Sequence, residues 1–213
     1  MGHKDHILAI GDIHGMLDSL LPLLDKVLPM APDDARLVFL GDYIDRGPDS
    51  KEVVETLIQL KKQRPDTVFL MGNHEQMFLQ AHGGKSLMFF LANGGDATLA
   101  SYGLAPEEIA DMPPDHLAFF NDLLLYFETE NHVFVHAGLR PGVALAEQDP
   151  RDLLWIREEF MFSSKRFPKT VVFGHTPVVR PFVNPDRIGI DTGAVYGNLL
   201  TCLMLPEMRF VSV

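Results

Sequence analysis

Five short apolar runs in this chain each end at, or one glycine before, a residue able to bind a metal ion, and that recurrence restricts the fold more than any other feature. Ile7-Leu8-Ala9-Ile10-Gly11 leads to Asp12 and His14, Leu37-Val38-Phe39-Leu40-Gly41 to Asp42 and Asp45, and Val68-Phe69-Leu70-Met71-Gly72 to Asn73 and His74. His132 to Val135 leads to His136, and Val171-Val172-Phe173-Gly174 leads to His175. Runs of this length and composition read as buried strands. Ligands of α/β sheets bind at the carboxyl ends of strands, where a glycine lets the chain turn sharply and approach a ligand closely. Residues far apart in the chain are therefore expected to converge.

The strands read from the pattern are His6 to Ile10, Arg36 to Leu40, Thr67 to Met71, His132 to Val135 and Thr170 to Phe173. Between them, Leu17 to Leu28 and Ser50 to Lys62 carry apolar residues at helical spacing. The alternation predicts βαβ units with helices packed on a sheet. From Phe182 onward short strands return (Phe182-Val183, Arg187 to Ile190, Leu199 to Leu205, Met208 to Val213), so a β-rich ending with hairpins is expected. Glu75 to Asp122 has Met, Phe, Leu and Ala at helical spacing, broken by Gly83-Gly84, Gly94-Gly95 and Pro113-Pro114. It reads as a helical insertion or cap, about 76–131 in outline, and as the place where substrate selection would sit. Its run Met88-Phe89-Phe90-Leu91 is expected to be core. No repeat or long linker divides the chain, so 1–213 reads as one domain, and 213 residues with 46% hydrophobic content suffice for a sizeable core.

A formal charge of -11 argues against a nucleic-acid partner, because phosphate-backbone binding needs clustered Lys and Arg. An acidic chain acting on a phosphate ester would need local positive charge, and bound divalent metals can supply it. Cys202, the single cysteine, lies in an apolar run and reads as a buried residue, not a nucleophile. No apolar stretch approaches the roughly 18 residues of a membrane span, and the first residues lack a secretory signal pattern. No membrane partner and a cytoplasmic location are expected.

Singly, Asp12 or Asp42 could cap a turn or helix, and His136 or His175 could be a hydrogen-bonded core histidine. Five strand ends carrying such groups together are not explained that way. Three carboxylates and four imidazoles gathered without a metal would also bury unpaired charge at high cost. Gly11-Asp12-Ile13-His14-Gly15, Gly41-Asp42-Tyr43-Ile44-Asp45-Arg46-Gly47 and Gly72-Asn73-His74-Glu75 occur in order, followed by Val135-His136-Ala137-Gly138-Leu139 and Gly174-His175-Thr176. The ordered set resembles the calcineurin-like metallophosphoesterases, specifically the phosphoprotein phosphatase branch. The size and the stretch from Asn93-Gly94-Gly95 to Tyr102-Gly103 look like those of small bacterial serine/threonine phosphatases and symmetrical dinucleoside tetraphosphatases.

The resemblance implies an α/β (α+β) fold with a central β-sandwich of two mixed sheets flanked by helices. It implies that Asp12, His14 and Asp42 hold one metal ion, that Asp42, Asn73, His136 and His175 hold a second, and that Asp42 bridges. Mixed carboxylate, amide and imidazole donors suit Mn²⁺, the first choice, or Fe or Zn²⁺. Two ions about 3.5 to 4 Å apart could share a hydroxide that attacks phosphorus directly. The resemblance makes His74 the general acid, with Asp45 orienting it, and Arg46 suits a planar phosphate clamp. Arg157, in Leu154-Trp155-Ile156-Arg157, resembles a second clamp, with a surface salt bridge as the alternative. Arg140 is expected to face solvent and Glu75 to support the metal-bearing loop. His3, His6, His82, His116 and His132 lack the strand-end context and read as structural. The implied activity is hydrolysis of phosphomonoesters, with phosphoserine or phosphothreonine in proteins as first choice. Symmetrical cleavage of bis(5'-nucleosyl) tetraphosphates is the enzymatic rival, and a catalytically silent protein-binding scaffold the non-enzymatic one.

Overall fold

Alternation of side chains along the first apolar run sets the layering. In the computed structural model, which describes residues 6–213, strand β1 (Ile7–Ile10) buries all four side chains. Ile7 and Ala9 pack into one apolar cluster, Leu8 and Ile10 into another on the opposite face, as the two-residue period of a strand requires. The chain continues through α1 (Leu17–Val27), β2 (Arg36–Phe39), α2 (Ser50–Gln63) and β3 (Val68–Phe69). Four helices follow: α3 (Asn73–His82), α4 (Leu87–Phe90), α5 (Asp96–Tyr102) and α6 (Pro114–Asn121). The second half comprises β4 (Tyr126–Glu128), β5 (His132–Val135), α7 (Pro150–Trp155), α8 (Glu158–Met161) and β6 (Thr170–Phe173). It ends with β7 (Phe182–Asn184), β8 (Arg187–Gly189), β9 (Thr201–Leu205) and β10 (Arg209–Ser212).

These strands form two five-stranded mixed sheets, ordered β10-β9-β1-β2-β3 and β4-β5-β6-β8-β7. In the first, β1, β2 and β3 are parallel because α1 and α2 carry the crossovers, while β9 pairs antiparallel with β1 and β10. In the second, β5, β6 and β8 are parallel and antiparallel β4 and β7 form the edges. Ile7, Ala9, Val38 and Leu203 of the first sheet meet Phe134, Val172 and Ile188 of the second in the sandwich core. Helix α1 buries Leu20, Leu23, Leu24 and Val27, one helical face, on the outer side of the first sheet. Leu153 and Phe160, from α7 and α8, cover Val133, Val135 and Phe173 on the outer side of the second. The two helix-flanked mixed sheets are those implied by the resemblance.

Several elements differ from the sequence expectation. β3 is only two residues long, with Leu70 bridging to Leu124, because the chain leaves the sheet to start α3 at Asn73. The strand β4, lying inside the 76–131 segment, pairs with β5 as an edge of the second sheet, and its three residues show no usable alternation. Helices α7 and α8, of 6 and 4 residues, are too short to display helical periodicity. Of Met88-Phe89-Phe90-Leu91, Phe90 is fully buried whereas Met88 and Phe89 are 75% and 51% exposed. The expectation that this run is core is thus corrected: α4 is barely one turn, and one turn presents one side inward. Among the described residues, no helix is long and apolar enough to cross a membrane.

Phe134 is fully buried between the sheets. Phe134→Ala should therefore cost about 3–5 kcal/mol, read as a lower urea midpoint with an unchanged slope in equilibrium unfolding.

Candidate metal centre

The loops after β1, β2, β3, β5 and β6 meet at one end of the sandwich, and they do so in strained backbone. Seven non-glycine residues among those described have positive φ, and five belong to these loops: His14 (49°), Asp42 (52°), Asp45 (73°), Arg46 (71°) and His175 (62°). Such conformations persist where the surroundings over-determine them, and they cluster at functional sites. The preceding glycines are needed for close approach. A Cβ on Gly72 would collide with Asp42 Oδ1, and one on Gly174 with Asp12 Oδ1.

Asp42 is common to two groups of donor atoms, His14-Asp42-His74 and Asp42-His136-His175, each with its atoms within 4.8 Å of one another. His14 Nε2 lies 3.4 Å from Asp42 Oδ2 and His136 Nε2 lies 3.4 Å from Asp42 Oδ1. His136 Nδ1 is 2.8 Å from the Leu40 carbonyl oxygen, which can only accept. The proton is thereby assigned to Nδ1, and Nε2 turns a lone pair inward. That lone pair faces Asn73 Oδ1 at 3.0 Å, an acceptor against an acceptor, and a cation between them would resolve the repulsion. Asn73 Oδ1 also lies 2.8 Å from His175 Nδ1. His14 is oriented in the same way, with Nδ1 2.8 Å from Ile44 O. Asp12 Oδ1 and His175 Nε2 are buried with no hydrogen-bond partner. Orphaned atoms, opposed acceptors and an oxygen–nitrogen donor set without thiolate all fit divalent cations.

The electrostatics differ among these groups: burial opposes protonation of His14, but the Asp42 carboxylate outweighs it and raises the imidazole, while the others follow their burial and neighbours. Burial, with the neighbouring Asp191 and Asp42 carboxylates, pushes Asp12 well above the usual carboxylate range. Burial also opposes ionisation of Asp42, but the imidazoles of His136, His74 and His14 outweigh it and hold its carboxyl well below that range. Burial lowers His136 and His175, favouring the neutral imidazole that ligates a metal. Glu75, fully buried, accepts from the backbone N–H groups of Asp42 (2.9 Å), Tyr43 (2.8 Å) and Gly72 (2.9 Å). One carboxylate thus ties the β2 loop to the β3 loop. Burial and the nearby Asp42 push it up to about 8 against those three donors.

Beside this centre, His74 Nδ1 is 2.6 Å from Asp45 Oδ2, and both residues are buried. The ring of His74 meets that of His14 edge-on, with centroids 4.6 Å apart. Arg46 is exposed, its Nη1 donating to His14 Nε2 at 2.6 Å and its guanidinium 5.6 Å from the Tyr196 ring centroid. Arg157 is exposed near His175, where its charge helps depress the imidazole, and it lines an open cavity of about 740 Å³ with Trp155, Arg140 and Arg151. Arg140 is outward, paired with Asp152 and Glu159.

The calcineurin-like phosphoesterase family matches residues 6–195. This chain belongs to it. The bis(5'-nucleosyl)-tetraphosphatase PrpE [asymmetrical] of Oceanobacillus iheyensis is 31% identical over 229 residues, covering 96% of this chain and 90% of that protein. A solved structure provisionally described as a diadenosine tetraphosphatase superposes with a TM-score of 0.76 at 25% identity, covering 99% of this chain and 93% of that one. A protein serine/threonine phosphatase from Saccharomyces cerevisiae shares the fold, with a TM-score of 0.66 at 20% identity over 99% of this chain and 79% of its own.

Within this calcineurin-like phosphoesterase, all ten residues picked from the sequence lie around one centre: Asp12, His14, Asp42, Asn73, His136 and His175 inside, His74 and Asp45 beside them, Arg46 and Arg157 outside. Sequence reading missed Thr98 of α5, whose hydroxyl donates to Asp45 Oδ1 at 2.6 Å. Asp191, 5% exposed and close enough to raise Asp12, was likewise not picked as a site residue; its signal was an acid directly after the apolar run ending at Ile190. The remaining histidines stay apart: His6 is 3.8 Å from Glu207, His82 packs on Phe78, His116 bonds Tyr102 and Glu55, and His132 packs on Phe134. His3 lies outside the described residues. Cys202 is buried, which pushes its thiol up to about 12 and leaves it unreactive.

Because Glu75 ties two ligand-bearing loops, Glu75→Gln should lower divalent-metal affinity about 10- to 100-fold. Calorimetric titration with Mn²⁺ would test this, and an unchanged affinity would contradict the tie.

Proposed function

We propose that this phosphoesterase hydrolyses bis(5'-nucleosyl) tetraphosphates using two divalent metal ions. The observation carrying the substrate class is the similarity over 96% of the chain to a protein named as an asymmetrical tetraphosphatase. The sequence reading put phosphoproteins first and the dinucleotide second, as a symmetrical cleaver; the relatives favour the dinucleotide and asymmetric cleavage. The site supports this too. Tyr196, 60% exposed beneath Arg46, and Phe89, half-exposed 6.2 Å from Trp155, offer two flat apolar faces near the centre. Such faces suit stacking by two nucleobases. Phosphoserine and phosphothreonine remain the second reading, resting on the shared His74, Arg46 and metal positions.

Asp12, His14 and Asp42 would hold one ion and Asp42, Asn73, His136 and His175 the other, with Mn²⁺ the first choice for that donor set. Bound ions supply positive charge at the phosphoryl group and a more acidic water. Arg46 closes its planar fork on phosphoryl oxygens, and Arg157 at the mouth holds a more distant phosphate. As a water oxygen bonds to phosphorus, the bond to the leaving oxygen breaks with its electron pair on that oxygen. His74, oriented through Nδ1 by Asp45, gives the leaving oxygen its proton from Nε2. A protein-binding scaffold would have no use for this buried acid pair. We read the chain as one catalytic domain that includes the helical insertion, working in the cytoplasm, where its single buried thiol suits a reducing environment.

Incubated with diadenosine tetraphosphate and Mn²⁺, the protein should yield ATP and AMP on chromatography, faster than it releases phosphate from phosphoserine peptides. Two ADP would mean symmetrical cleavage, and preferential turnover of the peptide would overturn the reading. His74→Asn should retain metal but lose about 10²- to 10⁴-fold in turnover of phenyl phosphate, a poor leaving group; unchanged turnover would refute its role.

A further inference from the structure

We propose that Thr98, supplied by the helical insertion, is a positioning residue for the proton-donating step, holding the Asp45 carboxylate in the orientation that aims His74. The inference rests on the reading of His74 as general acid. Thr98 is fully buried in α5 and lies 53 positions beyond Asp45. Its hydroxyl makes two bonds to that one residue: it accepts from the Asp45 backbone N–H at 2.8 Å and donates to Asp45 Oδ1 at 2.6 Å. The other oxygen, Oδ2, is the one 2.6 Å from His74 Nδ1. A carboxyl group turns about one terminal torsion with a broad preference, so fixing Oδ1 fixes where Oδ2 points. Ser50 Oγ is 3.1 Å from both Asp45 N and Thr98 Oγ1. The single Thr98 proton therefore has two acceptors within reach, and the closer, ionisable carboxylate makes the stronger bond.

The backbone makes this support necessary. Asp45 and Arg46 have φ of 73° and 71°, a region disfavoured for residues with a Cβ. Both are gripped by the insertion: Asp45 by Thr98, and Arg46 through its N–H to the Gly94 carbonyl at 3.0 Å. Gly94 itself has φ 99°, and a Cβ there would stand 2.8 Å from Arg46 Cγ. The insertion therefore forms the back support of the loop that carries both the acid's partner and the phosphate clamp. Thr98 acts on the acid, while Gly94 acts on the clamp.

The test compares aryl phosphates of different leaving-group basicity. Phenolate, with a pKa near that of tyrosine, about 10, needs a proton on departure; 2,4-dinitrophenolate does not. With metal-loaded protein, Thr98→Val should lower kcat for phenyl phosphate about 10- to 100-fold, the size expected for a hydrogen bond to a charged group. It should change kcat for 2,4-dinitrophenyl phosphate less than about threefold on the same argument and leave KM unaltered, since Arg46 is untouched. Thr98→Ser, which keeps the hydroxyl, should recover most of the loss. In a His74→Asn background Thr98→Val should add nothing, because the residue acts only through His74. Equal slowing of both substrates, failure of serine to recover, or additivity with His74→Asn would overturn the proposal. If His74→Asn itself fails to distinguish the two substrates, it is the general-acid reading that fails. Metal content and melting temperature of each variant separate these outcomes from loss of the fold.

Discussion

Keeping several carboxylates out of water at one end of a β-sandwich is the constraint that organises this protein. Asp12, Asp42, Asp45, Glu75 and Asp191 are each 5% exposed or less, and an isolated buried carboxylate is strongly unfavourable. Each has a different compensation. Glu75 accepts four backbone N–H groups, Asp45 has His74 and Thr98, and Asp42 lies among imidazoles. Asp12 accepts the His175 N–H at one oxygen, while the other has no hydrogen-bond partner. The incomplete balance at Asp12, His175 and Asn73 is what divalent cations would complete. Strained backbone at His14, Asp42, Asp45, Arg46 and His175 follows from bringing these groups together, and the apolar layers of the sandwich must hold it.

The sandwich and the helical segment α3 to α6, read as an insertion, contribute differently. Parallel strands in both sheets deliver loops to one end, so residues as distant as Asp12 and His175 share a hydrogen bond. Phe134, Val172, Ile188 and their neighbours, buried between the sheets, hold that arrangement together. The insertion reaches the centre from outside the sheets, through Gly94 and Thr98. It also carries Phe89 to the rim against Trp155. One segment thus bears on both the His74–Asp45 pair, proposed as the proton donor, and the rim proposed to meet the substrate.

Membership of the calcineurin-like phosphoesterases constrains the chemistry more tightly than the substrate. The buried centre would serve a phosphoanhydride or a phosphomonoester, since either presents a phosphoryl group to the same residues. On the proposed reading, selection falls to the rim, where Arg46 lies over Tyr196, Arg157 lines a cavity with Trp155, and Phe89 packs near Trp155. The proposed dinucleotide, an extended anion with flat ends, matches these cations and aromatic faces.

Most strand positions, the two long helices and the convergence of the candidate metal ligands were legible in the sequence because each rests on local order: apolar alternation, helical spacing, and a ligand type just after a strand end; Arg46 and Arg157 were picked through the family resemblance. Tertiary structure decided what those residues do to one another. That Asp42 sits between two donor groups depends on the packing of two sheets, and no spacing encodes it. Thr98 was invisible because a threonine in a short helix has no pattern of its own; it matters only where the insertion folds back onto Asp45, 53 positions earlier. β4, α7 and α8 escaped for a related reason, being too short to show a period and held by their neighbours. Exposure of Met88 and Phe89 was likewise set by the single turn of α4, not by hydrophobicity. The sequence alone determined which chemical groups are present and which end of the strands they occupy. Only the fold determined their mutual distances, because those follow from contacts between segments that the chain itself keeps far apart.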